Sequence, residues 1–147
     1  MGFQFPLQRL LDYKENIEEK KKEKLAALQN EQNILSEELL DTQNKYKRCT
    51  CINPDAKVNL SLFGQQLAYM EHLDVCIGEQ KAAVQQASLN VEECRKEVVE
   101  AMRDRQVIEK LKAKQETAYY NEMNNREQME LNEIAISRYF RASVVSS

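Results

Sequence analysis

The sequence predicts an all-α chain, a long antiparallel two-helix coiled-coil hairpin with an overhanging C-terminal helix, and three observations carry that reading. An apolar ladder begins at Phe63 and recurs in alternating steps of three and four residues. It places Met70, Ile77, Val84, Val91 and Val98 at one core position and Leu73, Gln80, Ala87, Cys94, Ala101 and Ile108 at its companion. Such spacing keeps one seam of a supercoiled helix on a partner. Charged residues make up 31% of the 147, with three glycines and two prolines, a balance that suits long solvated helices and disfavours strands. The stretch from Cys49 to Leu60 lacks a helical stripe and contains Asn53-Pro54-Asp55, a turn signature.

The first helix is predicted over about 6–48, with Pro6 in its first turn, where a missing N–H costs nothing. Leu7, Leu10, Leu11 and Ile17 mark its inner side, the charged interval Glu18 to Lys24 interrupts it, and Leu25, Leu28, Leu35, Leu39 and Tyr46 resume it. Glu18 with Lys22 and Asp41 with Lys45 stand four apart and support the helix face. The turn occupies 49–60. Asn59 or Ser61 caps a second helix over about 61–141, which continues through Gly64 and Gly78 at a cost of about 1 kcal/mol each relative to Ala. A frayed tail is expected over 142–147, and one coiled-coil domain spans 1–147.

Helices of about 45 and about 80 residues measure about 65 Å and about 120 Å at 1.5 Å per residue, so the second must overhang. A turn centred on Asn53 to Asp55 sets Leu7 opposite Ala101 to Arg103 and leaves the chain after about Arg105 unpaired. The seam turns polar at the same place, where Arg105, Lys112, Arg126 and Glu133 replace the apolar set. Ala87, Cys94 and Ala101 are small enough to let the two helices approach closely. With the seam matched inside the hairpin and the overhang polar, the free chain is expected to be monomeric and to complete its overhang on another protein.

Catalytic constellations are missing from the pattern. His72 is the single histidine, no glycine-rich phosphate loop occurs, and the carboxylates are distributed as solvated helix-face charges, so the chain reads as a non-enzyme with no cofactor. Cys49-x-Cys51 and His72-x-x-x-Cys76 offer zinc-type ligands, but about ten helical residues, roughly 15 Å, separate the pairs, while Zn–S bonds are about 2.3 Å. Cys94 reads as a small seam residue and the other cysteines as reduced thiols. Arg95 to Lys114 holds seven basic and four acidic residues, and the net charge is −3, which argues against nucleic acid as a partner. No apolar run reaches the roughly 20 residues of a membrane span, and no signal core opens the chain, so it reads as cytoplasmic without direct membrane insertion. Pro6 stands where a myristoylation signal needs Ser or Thr.

Two further stripes bear on partners. Tyr69, Leu73, Cys76 and Gln80 fall at i, i+4, i+7 and i+11 and share a helix face that overlaps the seam, with Tyr69 and Cys76 at its edge. Leu35, Leu39, Thr42 and Tyr46 repeat the spacing on the first helix near the same end, so both arms could build a tyrosine-bearing surface beside the turn. Spacing alone leaves core and partner surface both open.

The opening Phe3-Gln-Phe5-Pro-Leu7-Gln-Arg-Leu-Leu-Asp12-Tyr-Lys14-Glu resembles the start of the flagellar FliJ proteins, an alternating Phe-x-Phe-x-Leu run leading into a Leu-Asp-x-Lys helix. Asp104 to Lys112, Tyr120, Arg126-Glu127-Gln128-Met-Glu-Leu131-Asn132-Glu133-Ile-Ala135 and Arg138-Tyr139 are similar to that family's Lys-Leu and Glu-Gln-x-x-Leu-Asp-Glu-x-Ala segments, with Asn132 in place of the usual Asp. The resemblance covers nearly the whole chain. It implies a cytoplasmic component of the flagellar type III export apparatus, associated peripherally with the inner face of the cell membrane and shaped like the central stalk of rotary ATPases. Its implied partners are the hexameric flagellar export ATPase, the membrane export gate protein and flagellar substrate chaperones. Carried over by position, the gate surface comprises Tyr69, Leu73, Cys76 and Gln80 together with Leu39 and Tyr46. Gln80 stands where the family can have His, and Cys76 where it can have a small residue. The polar overhang, with Arg105, Lys112, Arg126, Gln128 and Glu133, is the segment expected to meet the ATPase ring. The competing readings are the equivalent stalk of a virulence-type secretion system and a homo-oligomeric structural adaptor.

Overall fold

In the computed structural model, which describes residues 2–51, 57 and 59–146, two long helices pack against each other as an all-α hairpin. They are α1 (Gln8–Thr50) and α2 (Leu60–Val145), and no strand occurs among the described residues. The expected turn signature Asn53-Pro54-Asp55 lies outside the described residues.

Local chemistry explains the helix ends. The Gln8 N–H donates to the Phe5 carbonyl at 3.2 Å and the Leu11 N–H to that of Leu7 at 3.0 Å, so Pro6 stands in the turn that enters α1. Lys47 and Arg48 lie in the last turn, where cations complement the helix dipole. At the start of α2 the Ser61 N–H donates to Asn59 Oδ1 at 3.1 Å, which makes Asn59 the cap. The helix passes without a break through Gly64 and Gly78. It also runs through the expected tail to Val145, because the Ser146 N–H still reaches the Ala142 carbonyl at 3.1 Å.

The chain divides into two compact units. In the unit Ile17–Ala101, α2 buries Leu73, Ala87, Val91, Cys94, Val98 and Ala101, with Met70, Ile77, Gln80 and Val84 half-buried between them. These are the positions of the three-and-four ladder. Its counterpart on α1 is Lys21, Leu25, Leu28, Gln32, Leu35, Leu39, Thr42, Tyr46 and Cys49, also spaced by threes and fours and at least half-buried. Cys94 Sγ lies 3.9 Å from the Lys21 carbonyl, and Gln66 Nε2 donates to the Cys49 carbonyl at 2.6 Å. Partner numbers fall as α1 numbers rise, so the pair is antiparallel. The small Cys94 side chain lets α1 backbone come this near, while Gln66 satisfies a carbonyl that the end of α1 leaves without a helical donor.

The charged interval does not interrupt the α1 face. Glu18 is only 3% exposed, and its carboxylate is held by Lys22 Nζ at 2.7 Å. Lys21 is half-buried, as a residue is when it lays its methylene stem along the seam and keeps its ammonium in water.

In the unit Met1–Asn16 with Met102–Ser147, Phe5, Leu11 and Ile108 form the buried cluster, with Phe3 packed against it. The Phe3 ring lies 5.6 Å from that of Tyr119, Lys112 Nζ donates to Gln8 Oε1 at 2.9 Å, and Lys14 Nζ is 3.6 Å from Asp104 Oδ2. These pairs revise the expected register, because Gln8 meets Lys112 and Leu7 is not opposite Ala101 to Arg103. Two causes act. Residues 60–65 are exposed, so α2 runs more than a turn before it packs and the arms are not symmetric about Asn53 to Asp55. Residues 2–5 are not helical, and extended chain covers about 3.3 Å per residue against 1.5 Å in a helix, which carries Phe3 further along α2.

The unpaired segment therefore starts after Tyr119, not after Arg105, and every described residue from Tyr120 to Ser146 is exposed. Leu7 and Leu10, expected inside, are 41% and 40% exposed, whereas Leu11 is 4% exposed. Leu11→Ala should accordingly lower the unfolding free energy by about 2 kcal/mol or more, and Leu7→Ala by no more than about 0.5 kcal/mol. Urea titration followed by circular dichroism measures both, and equal losses would contradict this packing.

Candidate functional site

Beside the turn, the sequence-predicted stripe divides between core and margin. Leu73 is 6% exposed and belongs to the seam. Gln80 is half-buried in the same seam, and its Oε1 is buried without a hydrogen-bond partner, an uncommon state for a desolvated amide oxygen. Tyr69, at 45% exposure, and Cys76, half-buried with Sγ 3.7 Å from His72 Nε2, form the margin. On α1, Leu39 and Tyr46 are half-buried, and Thr42 is buried with its hydroxyl donating to the Glu38 carbonyl at 3.0 Å. The tyrosine-bearing stripe of α1 is thus largely turned into the pair and is not an open surface.

An adjoining hollow was not anticipated from the pattern. Cys49, Thr50, Phe63, Gln66, Leu67 and Met70 line an apolar depression of about 170 Å³. Phe63, Leu67 and Met70 stand at i, i+4 and i+7, the start of the ladder. The face is open because α2 begins packing only at Gln66, leaving Leu60, Leu62, Phe63 and Leu67 exposed.

The five residues expected on the overhang also separate. Arg105 and Lys112 are half-buried in the packed part, Arg105 Nη1 donating to Glu109 Oε1 at 2.7 Å and Lys112 to Gln8. Arg126, Gln128 and Glu133 lie on the uncovered segment, where Arg126 pairs with Glu122 one turn away. That segment also exposes apolar side chains that a reading confined to seam positions passes over, among them Tyr120, Leu131, Ile134, Ile136 and Phe140.

Among the described residues no three His, Cys, Asp or Glu side chains converge where a metal ion could be held, and all four cysteines are free. No helix of the described residues is long and apolar enough to cross a membrane.

Two helices closed on a heptad seam, with a continuous helical segment left uncovered, define a coiled-coil hairpin protein whose available chemistry is that of helix surfaces. The family described as flagellar FliJ protein matches residues 3–143, and the chain belongs to that family of coiled-coil proteins associated with flagellar export. No curated protein and no solved structure matches the chain.

Thiol burial gives a direct check on the turn-proximal packing. Cys51 is exposed, Cys49 and Cys76 are half-buried, and Cys94 is 3% exposed. Cys51 should react first with a soluble thiol reagent and Cys94 last, Cys94 being about a hundredfold or more slower because its reaction waits on local opening. Mass spectrometry of the modified peptides reads the order, and equal rates at Cys94 and Cys51 would contradict the closed seam.

Proposed function

We propose that this chain is a stalk-like component of the flagellar protein export apparatus that engages the hexameric export ATPase with its uncovered C-terminal helix and the membrane export gate with its turn-proximal end. The observation that carries this reading is the helical segment from Tyr120 onward, exposed at every described residue in a chain of the flagellar FliJ family. Arg126, Gln128 and Glu133 make the ATPase contact, and a polar, charge-lined ring opening suits them better than a hydrophobic groove. Arg105 and Lys112 act from the packed part, where they fix the helix that leads into that segment. At the other end, Tyr69 and Cys76 are the accessible residues of the gate stripe, and Leu73, Gln80, Leu39 and Tyr46 support them from the seam. The protein works in the cytoplasm as a single chain, peripherally associated with the membrane through the export apparatus, and assists the cycling of substrate chaperones. Family membership favours the flagellar system over a virulence-type one.

An ATPase assay tests the first contact. The full-length variant with Arg126→Ala, Gln128→Ala and Glu133→Ala should keep its helicity and need about fivefold more protein to stimulate the ATPase to the same extent. Stimulation by the unaltered protein should decline between about 50 and about 300 mM salt, because exposed charges are screened. Unchanged stimulation by the triple variant would move the ATPase contact elsewhere. For the gate, Tyr69→Ala should weaken binding about fivefold with little change in stability, whereas Leu73→Ala should destabilise the hairpin. Normal gate binding by Tyr69→Ala would remove that residue from the surface.

A further inference from the structure

The uncovered segment carries an apolar stripe on a face that the hairpin seam does not use. It runs Tyr120, Met123, Glu127, Leu131, Ile134, Arg138, Ala142 and Val145, with steps of three, four, four, three, four, four and three residues. Tyr120, Leu131 and Ala142 repeat every eleven residues, as do Met123, Ile134 and Val145, the period of a helix contact with a right-handed supercoil. All eight residues are exposed, Leu131 at 65% and Ile134 at 50%. The continued seam positions Arg126 and Glu133 lie about a third of a turn away at 100° per residue. A polar seam on this segment therefore does not make the segment polar all round.

The step sequence reads the same in both directions, so a twofold axis between Asn132 and Glu133 maps the stripe onto itself in an antiparallel pair. Tyr120 then faces Val145, Met123 faces Ala142, and Leu131 faces Ile134, setting large residues against smaller ones at the first two layers. The two charged members, Glu127 and Arg138, exchange places and meet as opposite charges, once on each side of the axis. Within one chain they cannot meet, because eleven residues of helix separate them by about 16 Å. Neither has a hydrogen-bond or ion-pair partner among the described residues. Tyr120, which faces Val145, is also the first residue beyond the Phe3–Tyr119 contact, so the stripe ends where the packed part begins.

From this self-complementary stripe and its exchanged charges we infer that residues 120–145 form an antiparallel contact with a second copy of this chain. The contact is weak, since each chain contributes one helix face, and the single chain predominates at low micromolar concentration.

Sedimentation equilibrium of the full-length protein tests it. The unaltered chain should pass from monomer at about 5 µM to a substantial dimer fraction by about 500 µM. Glu127→Arg sets arginine against arginine at both symmetry-related sites, and Arg138→Glu sets glutamate against glutamate. Each should weaken the dimer about tenfold or more. The chain carrying both exchanges should regain the original dimer, because each new arginine again faces a glutamate. Both positions of the exchange experiment are solvent-exposed, and circular dichroism verifies that helicity is kept. A chain that remains monomeric at about 500 µM overturns the inference, as do single variants that dimerise as well as the unaltered chain, or a doubly exchanged chain that stays as weak as either.

Discussion

Coverage of α2 is the constraint on which the other features depend. A helix of 86 residues presents its seam to α1 of 43 residues, and the shorter arm can cover only what it reaches. Its reach is lengthened by a short non-helical start, which places Phe3 on Tyr119 and Phe5 beside Ile108. Among the described residues, Phe3 on Tyr119 is the furthest contact that the first arm makes along α2. A single helix in water is held by its own hydrogen bonds and little else, so residues after Tyr119 form a helix that a partner can grip without first displacing anything.

Inside the seam the side chains are modest. Among the described residues no side chain is fully buried, and the core hydrophobics include Ala87, Ala101 and Cys94. Small residues at these layers let the α1 backbone lie against the α2 side chains, as where Cys94 Sγ lies 3.9 Å from the Lys21 carbonyl. The same closeness uses up Leu73, Gln80 and much of Leu39 and Tyr46, so the turn-proximal end offers Tyr69, Cys76 and the Phe63–Leu67 hollow as its accessible apolar groups. The Ile17–Ala101 unit thus presents a margin with a shallow recess, and the unit with Met102–Ser147 presents a bare helix.

The heptad pattern was legible because burial in a two-helix pair depends almost entirely on angular position. Val91, Cys94, Val98, Ala101 and Ile108 were assigned to the seam from spacing and are buried. Register was not legible in the same way. It depends on where each arm begins to pack, and the exposed 60–65 segment and the non-helical residues before Gln8 both shift it without altering periodicity. Leu7 was misplaced because it precedes the helix whose face it was assigned to. Glu18 was misplaced for a different reason. A buried glutamate breaks a hydrophobicity pattern, and although the spacing gave its pairing with Lys22, only the packed structure shows that the carboxylate is buried. For the partner surfaces, spacing put Tyr69 and Cys76 at the edge, yet could not tell an open stripe on α1 from a closed one.

The covered seam stops at Tyr119 while the helix continues to Val145. Amide hydrogen exchange with peptide-level resolution measures this most directly, because a helix packed in a seam opens rarely and an uncovered helix opens readily. Peptides from 84–119 should exchange slowly and those from 121–145 faster by about a hundredfold or more, at low micromolar protein. Uniform protection through Val145 at that concentration would contradict this packing, since the last segment would then have to be covered by the chain itself.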